Sequence, residues 1–245
     1  MSNDLKFKIS HKVTDDNSSN FTIKPLDRGY GITIGNSLRR ALLTAVPGAA
    51  ITNVKIEGAH HEFSTIDGVT EDVADVIMNL KGVRFHLFES SVEPIFLKVK
   101  GPKAFTAADI QAVSDDFTIL NPDHYITDIA KGTTLEVELR LGIGKGYKSS
   151  EENKLNNSPV GMIPIDSIFN PVTKVSYDVK PVPGAKDPIE ILTMNVQTDG
   201  SINPKDAISY SATYIRDHLK FIEAIANPEI LEISKGVSDE TLALR

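Results

Sequence analysis

The chain has 245 residues, of which 40% are hydrophobic and 24% charged, with no cysteine and a formal net charge of -7. That length and apolar content support a core of one large or two small domains and exclude a compositionally disordered chain. The lack of cysteine excludes disulfides and thiolate metal sites and fits a reducing cytosol, while the acidic balance argues against a free-standing nucleic-acid binder.

The first ten residues carry Asp4, Lys6 and Lys8 and no long apolar run, so they do not read as a signal peptide. No stretch of about 18 apolar residues follows, and no membrane partner is expected. Phe21-Thr22-Ile23 has strand character ahead of Pro25. A helix is predicted over Ile34 to Ala45, with Ile34, Leu38, Ala41, Leu42 and Ala45 on one stripe and Pro47-Gly48 as its stop. Ile51 to Glu57 alternates, Ile51, Asn53 and Lys55 against Thr52, Val54 and Ile56. A second helix is predicted over Thr70 to Lys81, where Val73, Val76, Ile77 and Leu80 share a face. Glu71 and Asp72 occupy its first turn, and Gly82 supplies a left-handed stop.

Period-two patterning returns at 95–99 and 135–141, with further strands expected at 124–129, 172–180 and 189–198. The Gly-, Ser- and Asn-rich stretch 142–158 reads as a long exposed loop. A last helix is predicted from Pro204 to Ala226, capped by Asn203 and closed by Asn227-Pro228, with a linker-like tail after it. This order points to an α+β fold, not a doubly wound parallel sheet. Helices near both ends with a strand-rich middle fit one domain carrying another inserted in it.

Catalytic patterns are incomplete. Gly142-x-Gly144-x-Gly146 lacks the further glycine of a dinucleotide loop, since Tyr147 follows, and reads as a flexible turn. His60-His61-Glu62 lacks the second zincin histidine, because position 65 is Thr65. Ser37, in Gly35-Asn36-Ser37-Leu38-Arg39, lacks the closing glycine of a nucleophile elbow. The neighbouring acids Asp115-Asp116 and Glu151-Glu152 point apart and read as solvated surface.

Two helices carry the positive signal. In the last one, Ile208, Ala212, Ile215, Leu219 and Ile222 follow a 4, 3, 4, 3 spacing, while Tyr210, Tyr214 and Phe221 mark a neighbouring face. Apolar residues on more than one side require more than one covering surface. Both covers can lie within the monomer, or one can be a second copy of the chain. In the first helix, with Leu38 at 0°, Arg40 falls at about 200° and Arg39 and Leu43 at about 100–140°. The arginines are therefore not needed by the core stripe. They are either a solvated pair or the charged part of an interface, where guanidinium forks bind carboxylates.

The run Leu26-Asp27-Arg28-Gly29-Tyr30-Gly31-Ile32-Thr33-Ile34-Gly35-Asn36-Ser37-Leu38-Arg39-Arg40-Ala41-Leu42-Leu43 resembles the signature of the bacterial RNA polymerase alpha-subunit family. Similar segments are His61 to Asp72, Asn79-Leu80-Lys81, Gly144 to Tyr147 with Lys145 where arginine is common, Pro159 to Gly161, Ile163 to Val172, and Thr198 to Ile208. The resemblance implies an amino-terminal assembly domain: a discontinuous dimerisation part at 1–47 and 174–230, and an inserted strand-rich part at 48–173. It implies a homodimer through the first and last helices, at Tyr30, Ile34, Leu38, Ile208, Ala212, Ile215, Leu219 and Ile222. It further implies contact with the beta subunit at Arg39, Arg40, Leu43, His61, Glu62 and Lys81, and with beta-prime at Ile165 and Asp166.

The family implies no catalytic residue or cofactor in this chain, with the magnesium of the complex in the large subunits, and a cytoplasmic location. Residues 231–245 would begin a flexible linker, and the DNA-binding carboxy-terminal domain of the family has no counterpart in this sequence. DNA would be met only through the whole enzyme or through that carboxy-terminal domain. Two other classes make different predictions. A lone hydrolase or transferase near His61 and Glu62 would show turnover lost in His61→Ala, and a DNA-binding module would bind DNA in a salt-sensitive way.

Overall fold

The computed structural model describes residues 8–59, 61–88, 93–155, 159–185 and 187–223. His60, the end of the last helix with its Asn227-Pro228 stop, and the expected linker lie outside the described residues. In chain order come strands β1 (Lys8–Asp15) and β2 (Ser18–Asp27), helix α1 (Tyr30–Thr44), strand β3 (Pro47–Ile56) and helix α2 (Val73–Lys81). Strands β4 (Phe85–Leu87), β5 (Ile95–Lys100) and β6 (Lys103–Thr106) lead to helix α3 (Ala107–Gln111). Then follow β7 (Phe117–Ile119), β8 (Tyr125–Ile129), β9 (Thr134–Lys145), β10 (Tyr147–Lys148), β11 (Met162–Pro164) and β12 (Ser167–Ile168). The long strands β13 (Val172–Pro181) and β14 (Ile189–Thr198) precede helix α4 (Pro204–Glu223). The class is α+β, with antiparallel pairing between the strands.

These elements form two compact units. The first draws its described residues from Met1–Val46, Val172–Thr198 and Ile202–Arg245, and the second from Pro47–Pro171 with Asp199–Ser201. The first unit is a four-stranded sheet in the order β1-β2-β14-β13. Alternation sends Phe21, Val175, Leu192, Met194 and Val196 to one face, where they are buried with Leu38, Leu42 and Ala207. Helix α1 lies over β13 and β14, and α4 over β14 and β2. Asn203 Oδ1 accepts from Lys205 N at 2.9 Å and Pro204 opens α4, as the sequence predicts for a capped start.

In the second unit, the main sheet runs β5-β9-β3-β4-β7, with β11 also paired to β3. Strands β5 and β9 alternate strictly, placing Ile95, Leu97 and Val99 beside Leu135, Val137 and Leu139 in the core. Val76 and Leu80 of α2 and Ile110 of α3 join that core. Asp72 caps α2 by accepting from Asp75 N at 2.9 Å.

Several local expectations change. Helix α1 begins at Tyr30, a turn before Ile34, and α2 begins at Val73, so Glu71 and Asp72 precede its first turn. Gly82 is right-handed at φ -75 and no left-handed stop exists there. Its lack of a side chain has another reason: a Cβ would sit 2.4 Å from His124 Nε2. The glycines at 142 and 144 belong to strand β9 and not to a loop, pairing with Ala50 and Gly48. A Cβ on Gly144 would meet the Phe169 ring at 2.6 Å, and one on Gly142 would meet Thr52 Cγ2 at 2.8 Å. Only Gly146, at φ 61, serves as a turn.

The alternation expected at 51–57 is broken by a bulge between Ile51 and Asn53. Ile51, Asn53, Val54 and Ile56 are all buried in consequence. Asn53 donates to Asn153 O at 3.1 Å, and Asn153 donates to Ile165 O at 2.7 Å and Ser167 Oγ at 2.9 Å. That buried network draws residue 153 inward, although the sequence places it in an exposed loop.

Candidate functional site

Helix α1 is held at its start from a distance. Gly29 precedes it at φ 87, no side chain caps it locally, and its first turn holds no acid. Instead Glu190, on β14, accepts from Gly29 N and Gly31 N, each at 3.0 Å. A carboxylate there satisfies two orphan donors and meets the positive end of the helix dipole. Further along, Gly31 and Gly35 bring the backbone down on the sheet. A Cβ at Gly35 would lie 2.8 Å from the Tyr177 ring and 3.0 Å from Leu192, and one at Gly31 would lie 2.6 Å from Val179.

Seated on its glycine edge, the helix shows two flanks. On one, Tyr30, Ile34 and Leu38 face Ala212, Ile215 and Leu219 of α4 across an apolar groove of about 690 Å³. Leu38 is only 6% exposed and forms the floor, whereas Tyr30 is 58% exposed at the rim. Ile208 and Ile215 are half-buried, Ala212 is exposed, and Leu219 and Ile222 are more than half exposed. The buried residues of α4 are Pro204, Ala207 and Ser211, so its first turns cover the sheet and its far half does not. The sequence-predicted stripe is thus divided between a half-buried start and a bare end.

On the other flank, Arg39 and Arg40 are exposed and Leu43 is half-buried. Arg39 Nε donates to Val175 O at 3.4 Å, which anchors that side chain along the sheet. The Arg40 guanidinium has no partner among the described residues. Ile32 also belongs to this flank: at about 100° per residue it falls on the side of Arg39 and Leu43, and it is more than half exposed. A helix predicted only from Ile34 omits it. Extending the predicted helix back to Gly29 would have revealed it.

In the second unit, His61 Nδ1 and Ser64 Oγ are 3.2 Å apart, and both His61 and Glu62 are exposed. Glu71 ties the end of this loop to β8. Its carboxylate accepts from Tyr125 OH at 2.6 Å, Thr127 Oγ1 at 2.5 Å and Asp128 N at 3.2 Å. Burial alone would raise the Glu71 pKa, but the hydrogen bonds from Thr127, Tyr125 and Asp128 outweigh it and hold the carboxyl below its ordinary value. The same contact, with Glu71 as acceptor, pushes the Tyr125 hydroxyl upward.

Lys81 pairs with Asp166, both partly exposed. The structure therefore joins two residues that the sequence assigned to different partners. Ile165 requires a correction: it is 3% exposed and packs in the core, so its side chain is not available to a partner. The bulge at Thr52 explains this, because Thr52 O accepts from Ile165 N at 2.9 Å and fixes which way residue 165 faces. Among the described residues, no group of three or more histidines or acids is placed to hold a metal, and no helix is long and apolar enough to cross a membrane.

A two-unit α+β chain whose first helix shows one apolar and one basic flank has the features of an interface-bearing subunit. The match to known proteins agrees with that class. Residues 54–170 match the family model of the RNA polymerase Rpb3/RpoA insert domain. The DNA-directed RNA polymerase subunit alpha of Salinibacter ruber is 47% identical over 232 residues, covering 94% of this chain and 71% of the relative. That of Chloroherpeton thalassium is 43% identical over 221 residues, covering 90% and 67%. The chain belongs to the family of DNA-directed RNA polymerase alpha subunits.

Proposed function

We propose that this chain is the assembly scaffold of a DNA-directed RNA polymerase: it homodimerises through the groove between α1 and α4 and recruits the beta and beta-prime subunits. Family membership supports a role in transcription as a subunit of that enzyme. In this reading Arg40, with Ile32, Arg39 and Leu43 beside it, offers a guanidinium and an apolar ledge to beta. His61, Glu62 and Lys81 add contacts from the second unit, and Asp166 contributes to the beta-prime surface. The chain supplies no catalytic group or cofactor. Nucleotidyl transfer and its magnesium belong to the large subunits, DNA is met through the whole enzyme, and the work is done in the cytoplasm.

The observation that carries this reading is the division of α1 into two flanks. A helix whose glycines fix it to its own sheet still leaves an apolar groove on one side and, on the other, a guanidinium without a partner among the described residues. Tyr30 and Leu219 each have more than half of their surface left to bury, which is worth roughly 1 kcal/mol or more apiece. An exposed arginine costs little to desolvate at the rim of a partner and gains direction from its fork.

Two variants test the two flanks separately. Arg40→Ala is expected to remain a folded dimer that no longer captures beta in a pull-down. Normal capture by that variant removes Arg40 from the interface. Ile215→Asp is expected to give monomer or unfolded protein in sedimentation, and an unchanged dimer would count against the groove.

A further inference from the structure

In the second unit, the segment 61–84 carries His61, Glu62 and Lys81, the residues of that unit assigned above to beta. The segment 121–130, which contains β8, runs beside most of its length. Ala130 N donates to Gly68 O at 2.8 Å, Thr70 N donates to Asp128 O at 3.0 Å, and Val69 and Ile129 form an antiparallel bridge. Asn79 Nδ2 donates to Ile126 O at 2.8 Å, and His124 Nε2 bonds Asn79 O at the same distance. Past the end of α2, Asn121 donates to Gly82 O at 2.9 Å and accepts from Arg84 N at 2.8 Å. Each of these ties has backbone on at least one side. Glu71 differs: two side chains, Tyr125 and Thr127, donate to its carboxylate, with Asp128 N as a third donor. A charged acceptor makes each of those bonds stronger than a neutral one would. Thr127 is fully buried, so leaving its hydroxyl unpaired would be costly.

From Glu71 the hold passes to the exposed end of the segment. Its neighbour Asp72 turns the other way and accepts from Asp75 N at the start of α2. Val73 N then donates to Ser64 O at 3.1 Å. Ser64 closes in turn on His61: Ser64 N donates to His61 O at 3.1 Å, His61 N donates to Ser64 Oγ at 3.3 Å, and that Oγ lies 3.2 Å from His61 Nδ1. A chain of bonds therefore leads from β8 through Glu71 and Ser64 to His61. His61, Glu62 and Phe63 are all exposed, so core packing does not orient this turn.

We infer that Glu71, clasped by Tyr125 and Thr127, is a positioning residue for the capture of beta: it presets the turn at 61–64, so that His61 and Glu62 meet their partner already ordered. The inference rests on the reading of those two residues as beta contacts and deepens it. A preset turn does not have to be ordered at the moment of association, which lowers the cost of binding. Thr127 has no surface with which to touch a partner, so any effect of its hydroxyl on capture comes through the carboxylate that it holds. The hydrogen bonds that hold the Glu71 carboxyl below its ordinary pKa keep it ionised, and the clasp closed, at neutral pH.

Titration of the full chain with beta at neutral pH tests the clasp. Thr127→Val removes the hydroxyl at nearly constant shape and is expected to weaken capture roughly threefold to tenfold. Thr127→Ser keeps the hydroxyl and is expected to bind as the parent does. Tyr125→Phe, at an exposed position, is expected to act in the same direction as Thr127→Val, so the result does not depend on how well the buried site tolerates change. The decisive measurement is coupling. In a chain carrying His61→Ala and Glu62→Ala, Thr127→Val is expected to add no further loss, because the turn that it presets has already lost its contacts. If Thr127→Val and Tyr125→Phe bind beta as tightly as the parent while the double alanine variant is weakened, the positioning role is overturned and the contact stands. Equal losses from Thr127→Val in both backgrounds also overturn it, since they mark a role in folding alone. Unchanged capture by the double alanine variant overturns the contact reading, and the inference with it.

Discussion

Glu190→Ala isolates the device that makes α1 a rigid platform. The carboxylate holds Gly29 N and Gly31 N at 3.0 Å each, and nothing local replaces it, since the residue before the helix is a left-handed glycine and the first turn has no acid. Losing a helix cap costs about 0.5–2 kcal/mol, and losing a charge at the positive end of the dipole about 0.3–1 kcal/mol more. Gly29 N lies near solvent and regains water, whereas Gly31 is buried, so the penalty of an unmade bond applies at one donor and not at the other. A loss of about 2 kcal/mol follows, a drop of roughly 4–8 °C in the thermal midpoint for a chain of this size. Glu190→Gln keeps one acceptor oxygen without the charge and is expected to fall between the two. Hydrogen exchange adds a local readout: the first-turn amides of α1 should exchange faster while those of α2 are unchanged. A midpoint within about 1 °C of the parent, with unchanged first-turn exchange, would refute the long-range cap and with it the claim that this helix is held from β14.

Two other perturbations probe the frame of the candidate faces. Gly35→Val places its Cβ 2.8 Å from the Tyr177 ring and 3.0 Å from Leu192. It is expected to cost about 1–3 kcal/mol by overpacking, and urea titration with no change in midpoint would show that the helix can lift off the sheet freely. Glu71→Gln tests the tether to β8. The folded pKa is lowered, so the stabilisation is complete above the unfolded value of about 4.3 and disappears as pH falls through the folded one. The variant should therefore be less stable than the parent at neutral pH, and the gap should close on acidification. A gap that stays constant between neutral pH and about pH 3 would mean that the carboxylate charge does not matter there.

Strict alternation at 95–99 and 135–141 and the apolar stripe of α2 were legible because each depends only on nearest neighbours along the chain. A period of two or 3.6 residues is a local property, and burial simply follows it. The same holds for Asn203, whose capping oxygen reaches backbone only two residues away. The division of α1 into flanks was also partly readable, since helical geometry alone sets Arg40 apart from Leu38.

What the sequence concealed depends on residues far away in the chain. The first turn of α1, which brings Ile32 onto the basic flank, is secured by Glu190 from another strand. The glycines of β9 look like a flexible loop until Phe169 is seen resting where a Cβ would be. Ile165 resembles an available contact until the bulge at Thr52 turns it into the core. Spacing along a chain encodes which face a residue takes within its own element. Which neighbour that face meets, and whether it meets one at all, is decided only when distant strands and helices pack together.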